Sequence, residues 1–171
     1  MKRGWTSRSG TSMSKAKFKT MRHIETVRNY LSACIRELMD RQEQHDQSKL
    51  CSPEIEYVEK YTPKLRKCTY GSEEYNSYLK EMDVALQHHY AHNSHHPEHY
   101  AKGVDDMTLL DLIEMVADWK SSSLRHNDGN LLKSIEINTT RFNVAPQLVQ
   151  ILKNTARWLE DCTVNHRAHE S

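Results

Sequence analysis

The stretch Leu86–Tyr100, LQHHYAHNSHHPEHY, holds six of the eleven histidines of the chain: His88, His89, His92, His95, His96 and His99. Buried imidazole nitrogens need partners and exposed ones add little stability, so such a density implies a use. Metal binding is the use with the clearest physical logic, because imidazole is the commonest protein ligand for divalent transition ions. Further donors are spread along the chain. His45 and Asp46 are adjacent in QHDQSKL and offer a nitrogen and an oxygen donor from neighbouring positions, while His23 lies earlier and Asp118 later. Cys34, Cys51, Cys68 and Cys162 form no CxxC pair. They read as reduced thiols, and a metal here is expected to be held by nitrogen and oxygen.

Helices must bring these donors together. From Thr20 to Gln42, the positions His23, Val27, Leu31, Cys34 and Leu38 recur at steps of three and four, which predicts a buried helical stripe headed by His23. The competing reading of His23 is an ordinary packed histidine. Ser52-Pro53-Glu54 predicts a helix start with Ser52 as N-cap, ending near Pro63. Ser72 caps a third helix whose stripe of Tyr75, Tyr78 or Leu79, Met82, and Ala85 or Leu86 reaches His89. Pro97 disfavours helical geometry at His96, so His95 and His96 are expected in a tight turn beyond the helix end. His89, His95 and His96 are therefore the ligands expected from this tract, with His88, His92 and His99 in supporting or surface positions.

Thr108–Arg125 reads as a helix with a capping box formed by Thr108 and Asp111, and an apolar face of Leu109, Leu112, Ile113, Val116 and Met115 or Trp119. Asp118 lies on its inner side or margin. An acid there is costly without a cation, although a solvated aspartate is the competing reading. Ser134–Phe142 is ambiguous, and a last helix starts near Pro146. The fold class expected is all-α, a bundle of five or six helices over residues 20–162 as a single domain. Residues 1–19 read as a flexible basic leader and 163–171 as a frayed tail.

Lys+Arg of 24 against Asp+Glu of 23 leaves the chain near neutrality, so no global field recruits nucleic acid or an anionic membrane. No apolar run approaches the roughly 20 residues that a membrane span needs. The expected location is the cytoplasm, or a host cytoplasm if the chain is phage-encoded.

The order His23, then His45-Asp46, then the histidine tract, then Asp118 resembles the HD-domain superfamily of metal-dependent phosphohydrolases over about Thr20–Arg125. HDQSK is similar to that superfamily's HDxGK block, with Ser48 where glycine is usual and Lys49 in the position of a phosphate-contacting or catalytic lysine. MVAD, Met115–Asp118, resembles the segment that carries the last ligand aspartate. The resemblance implies an HD-like bundle with a metal site in its core, and a phosphatase or phosphodiesterase acting on a nucleotide or related phosphate ester through a metal-bound hydroxide. It implies His23, His45, Asp46 and Asp118 as a founding ligand set. His89, His95 and His96 would serve a second ion bridged by Asp46, the metal being Mn, Fe, Co, Ni or Zn. Asp46 and Lys49 would be the catalytic residues, Lys49 neutralising a phosphate oxygen.

Arg125, Lys120 and Arg66 are candidates for holding the substrate's phosphate, with solvated surface cations as the competing reading. The partner implied is a small phosphorylated molecule, with neither membrane nor nucleic acid, and self-association is left open. The blocks HIETVRNYL, HDQSKL, YGSEEY, HHYAHNSHHPEHY, LLDLIEMVADWKSSSLRH and SIEIN also resemble a family of short phage and bacterial proteins of unassigned function. Two other readings remain: a diiron oxygenase, since the same donor order suits an iron pair, and a metal-stabilised interaction protein such as a phage counter-defence factor.

Overall fold

The computed structural model describes residues 14–69, 72–124 and 130–167. Among them there are seven α-helices and no strand: α1 Lys15–Gln44, α2 Glu54–Leu65, α3 Glu73–Glu81, α4 Asp83–His92, α5 Leu109–Ser123, α6 Leu131–Arg141 and α7 Pro146–Arg167. Short 3-10 turns at Gln47–Leu50, Pro97–His99 and Gly103–Asp106 join them. The all-α expectation holds, with more helices than expected for two reasons. Met82 adopts φ −90°, ψ 5° and breaks the expected third helix into α3 and α4. The ambiguous segment 134–142 is helical in α6, capped by Asn130, whose side chain accepts from the N–H groups of Leu132 and Lys133.

The chain divides into two units, Met1–Asp40 and Arg41–Ser171. In the first, α1 buries no residue, and its large apolar side chains are exposed, from Phe18, Met21 and Ile24 through Leu31 and Ile35 to Met39. The stripe through Val27, Leu31 and Cys34 is present as a pattern, but it is not covered in this unit. Residues 1–13 of the expected leader lie outside the described residues.

In the second unit the main core lies among α5, α6 and α7. Val104, Met115, Val116, Leu131, Ile135, Val144, Leu152 and Ala156 are buried together, and Leu112, Trp119, Phe142, Leu148 and Leu159 pack against them. Burying each of the larger fully buried side chains, such as Met115, Leu131 or Ile135, is worth roughly 1.5–3 kcal/mol. The expected capping box holds α5 in place: Thr108 Oγ1 accepts from the Asp111 N–H, and the Asp111 carboxylate accepts from the Thr108 N–H. The buried face of α5 is rotated from the expected one. Leu109 and Ile113 are exposed, while Asp111, Met115, Val116 and Ser123 are buried. The acids Asp111, Glu114 and Asp118 lie on the buried or half-buried side of the helix, in keeping with the inner or marginal position expected for Asp118. At α2, Ser52 does not cap. The helix begins after Pro53, and the N–H groups of Glu54 and Ile55 are satisfied by the Cys51 carbonyl instead.

Among the described residues no helix is long and apolar enough to cross a membrane. α7 runs to Arg167, into the expected tail.

Candidate metal centre

Three elements of the second unit converge on Asp46. α1 ends at Gln44, and Asp46 takes the left-handed conformation, φ 57°, that ends the helix and turns its carboxylate aside. Aspartate adopts this conformation more readily than most residues, since its short polar side chain can bond locally. The stripe of α3 and α4 is as expected: Met82, Ala85 and His89 are buried in succession. His96, before Pro97, is extended at φ −98°, ψ 128°, which folds His95 and His96 back over the end of α4.

Asp46 divides its two oxygens. Oδ1 faces His89 Nε2 at 3.3 Å and His95 Nε2 at 3.7 Å, and His96 Nε2 lies 2.9 Å from His89 Nε2. Oδ2 faces His45 Nε2 at 3.5 Å and accepts from Lys49 Nζ at 2.5 Å. Asp118 Oδ1 is 4.0 Å from His45 Nε2. Two groups with metal-ligand spacing result, Asp46-His89-His95-His96 and His45-Asp46-Asp118, each with its donor atoms within 4.8 Å of one another.

The residues fit a metal by two tests. Asp46 Oδ1 and His95 Nε2 are buried, face each other and have no hydrogen-bond partner. A buried carboxylate oxygen and imidazole nitrogen left so are costly, and a cation between them satisfies both. Secondly, ligand atoms about 2.1 Å from one ion lie about 3.0–3.4 Å from each other, and the short separations in the first group bracket that range.

The opposite ring nitrogens are fixed by carboxylates. His45 Nδ1 and His95 Nδ1 both bond Glu114 Oε1, at 2.9 and 3.0 Å, and His89 Nδ1 bonds Glu54 Oε2 at 2.9 Å. With the Nδ1 proton donated outward, Nε2 is left as the lone-pair donor on all three rings, as in carboxylate–histidine–metal arrangements. A third grouping, His45-His95-Glu114, also has metal-ligand spacing. Its separations are those of hydrogen bonds, and the unpartnered nitrogen of His95 is on the other edge of the ring, so Glu114 is an outer carboxylate.

The protonation states suit ligation. Burial pushes His96 down to about 2, reinforced by His95 and His89, and burial with the Lys49 cation lowers His89. Burial would raise Asp46, but Lys49 outweighs it and holds the carboxyl below its ordinary value. Glu114 is likewise lowered, burial being overcome by bonds from His45, His95 and Arg41. His89 and His96 are thereby favoured as neutral imidazoles and Asp46 and Glu114 as ionised carboxylates, the forms a metal needs, whereas the bond to Glu114, with Asp46 and Asp118 nearby, raises His45, so that a metal binding there would have to release its proton.

Of the residues expected from the sequence, His45, Asp46, His89, His95, His96 and Asp118 come together. His23 does not join them. It is exposed on the first unit, among exposed neighbours that would not desolvate it, and it belongs to none of the three groups. Lys120 pairs with Glu160 at 3.5 Å, and Arg66 is exposed at the end of α2. Arg125 lies outside the described residues. His88 bonds Glu54 Oε1 and stacks on His92, and His99 bonds the Tyr90 carbonyl, so these three are supports.

Sequence reasoning missed Glu54, Glu114 and Arg41, and it placed Asp111 only in the capping box. Arg41 reaches Ser94, Asp111 and Glu114, tying the end of α1 to α5. The available signal was the spacing of Asp111, Glu114 and Asp118 along one face of α5, matched by Arg41 and His45 one turn apart on the other side.

The class these features define is an all-α protein with a histidine- and carboxylate-rich candidate metal centre. Residues 12–158 match the family described as "family of unknown function (DUF5662)", and the chain belongs to that family. No curated protein and no solved structure matches the chain.

Proposed function

We propose that the chain is a metal-dependent phosphohydrolase acting on a nucleotide or related phosphate ester. The observation that carries this reading is Asp46, one carboxylate shared between two groups of metal donors with the ammonium of Lys49 beside it. His45, Asp46, His89, His95, His96 and Asp118 would hold divalent ions. Such ions supply Lewis acidity toward phosphate oxygens and lower the pKa of water. The chain's own part is to orient and to balance charge. Glu54 and Glu114 fix the rings, Asp46 joins the two groups, and Lys49, partly exposed, is placed to pair with a phosphate oxygen once Asp46 is neutralised by metal. The likeness of HDQSK and MVAD to HD-domain blocks supports the same chemistry.

The test is phosphate release from a panel of mononucleotides and cyclic nucleotides with Mn, Co, Fe and Zn. Turnover that Asp46→Asn abolishes supports the reading. Turnover unaffected by that change places the chemistry elsewhere, and iron with oxygen uptake but no phosphate release favours a diiron oxygenase. A metal-stabilised interaction protein, for example a phage counter-defence factor, is a second reading, favoured by the exposed apolar side chains of α1. It predicts bound metal without turnover.

A further inference from the structure

The two donor groups that meet at Asp46 are chemically unequal. One offers three imidazole nitrogens and a carboxylate oxygen, the other one imidazole and two carboxylates. Imidazole-rich sites suit borderline ions such as Zn²⁺, Co²⁺ or Fe²⁺, whereas carboxylate and water suit harder ions such as Mn²⁺ or Mg²⁺. Burial differs in the same sense. The side chains of His89 and His95 are 5% and 2% exposed, against 31% for His45 and 16% for Asp118. Spacing differs too, since His45 stands 3.5 Å from Asp46 and 4.0 Å from Asp118, wider than the closest pairs of the first group. Water must complete coordination in the second group.

Asp46 also receives its competing cation on one side. Lys49 Nζ bonds Oδ2, the oxygen that faces His45, and the unpartnered Oδ1 faces His89 and His95. Loading the imidazole-rich group leaves that ion pair intact. Loading the carboxylate-rich group has to displace an ammonium.

We propose that the cluster is an asymmetric two-ion site: Asp46, His89, His95 and His96 retain one borderline transition ion tightly, and His45, Asp46 and Asp118 take a second, harder divalent ion weakly and exchangeably. The proposal rests on the reading of the cluster as a metal centre. The harder, more open position is the one at which an anionic substrate exchanges with water, with Lys49 beside it.

The experiment is a titration of the metal-free full chain, first with Zn²⁺ and then with Mn²⁺, followed by calorimetry and by metal content after desalting. One Zn²⁺ per chain is expected to survive desalting, and one Mn²⁺ to bind in a separate phase roughly tenfold or more weaker and to be lost. His96→Ala removes the tight phase. Asp118→Asn removes the weak phase and spares the tight one. Lys49→Met strengthens the weak phase by removing the competing cation, an effect that a damaged fold would not produce; circular dichroism checks the fold of each variant. A single class of sites, loss of both phases in Asp118→Asn, or a weak phase unchanged in Lys49→Met overturns the proposal. A wild-type chain that binds no ion overturns the metal reading itself and this proposal with it.

Discussion

Asp46 Oδ1 and His95 Nε2 lie 3.7 Å apart, both buried and both without a hydrogen-bond partner. The far edges of the neighbouring rings are tied down: Glu54 and Glu114 take the outer edges of His89, His45 and His95, and Arg41 pairs with Glu114. A cation between two such atoms would satisfy both, and the carboxylates behind the rings hold those atoms in place.

Glu114 orients two of the candidate ligand rings, His45 and His95, and Glu54 one, His89, so their loss should be felt in metal affinity. Glu114→Ala and Glu54→Ala are each expected to weaken binding by about 10–100-fold with secondary structure retained. Competition with a chromophoric chelator reads the affinity directly. Unchanged affinity in Glu114→Ala would mean that the bond it makes to His45 and His95 orients nothing.

Asp111 is a structural hub rather than a ligand. Its oxygens accept from Arg41, Ser94, Tyr100 and Thr108, and it is 1% exposed. Asp111→Ala leaves the Arg41 guanidinium short of a partner and removes the α5 capping box, so a loss of about 3–5 kcal/mol is expected. Urea unfolding of the metal-free protein measures it. Thr108→Ala, which removes only the cap hydroxyl, should cost about 1 kcal/mol.

The same residue gives the acid limb of stability a definite sign. Burial would raise the Asp111 carboxyl, but bonds from Thr108, Ser94 and Arg41 outweigh it and hold it far below the ordinary value of 3.8. A carboxylate depressed in the folded state contributes stability that is fully present above its unfolded pKa and is lost as pH falls through the folded one. Unfolding free energy should therefore decline as pH drops below about 4, and the decline should be shallower in Asp111→Asn. Parallel slopes in the two proteins would assign the acid limb to other groups.

Much of the centre was legible in the sequence, for identifiable reasons. His89 was reached because an apolar stripe led to it, His95 and His96 because Pro97 disfavours helix at the residue before it, and the capping box because Thr108 and Asp111 are spaced for one. His45, Asp46 and Asp118 followed from local blocks. Glu54 and Glu114 were not legible, since an acid on an amphipathic helix reads as solvated until the opposing histidine is known. Nor was the exposure of the α1 stripe: periodicity shows that a helix has an apolar face, but not whether anything covers it. His23 was drawn in by that stripe and by the expected donor order, and the second unit assembles its donor set without it.

The central claim, that the Asp46 cluster is a metal centre, is tested most directly by elemental analysis of the full chain purified without chelators, beside Asp46→Asn. Asparagine tolerates the left-handed backbone that Asp46 adopts, so the variant keeps the turn while losing the shared carboxylate. One or more equivalents of transition metal are expected in the wild type, with loss of that metal in the variant. A wild type free of metal, or an Asp46→Asn chain that keeps it in full, would contradict the claim.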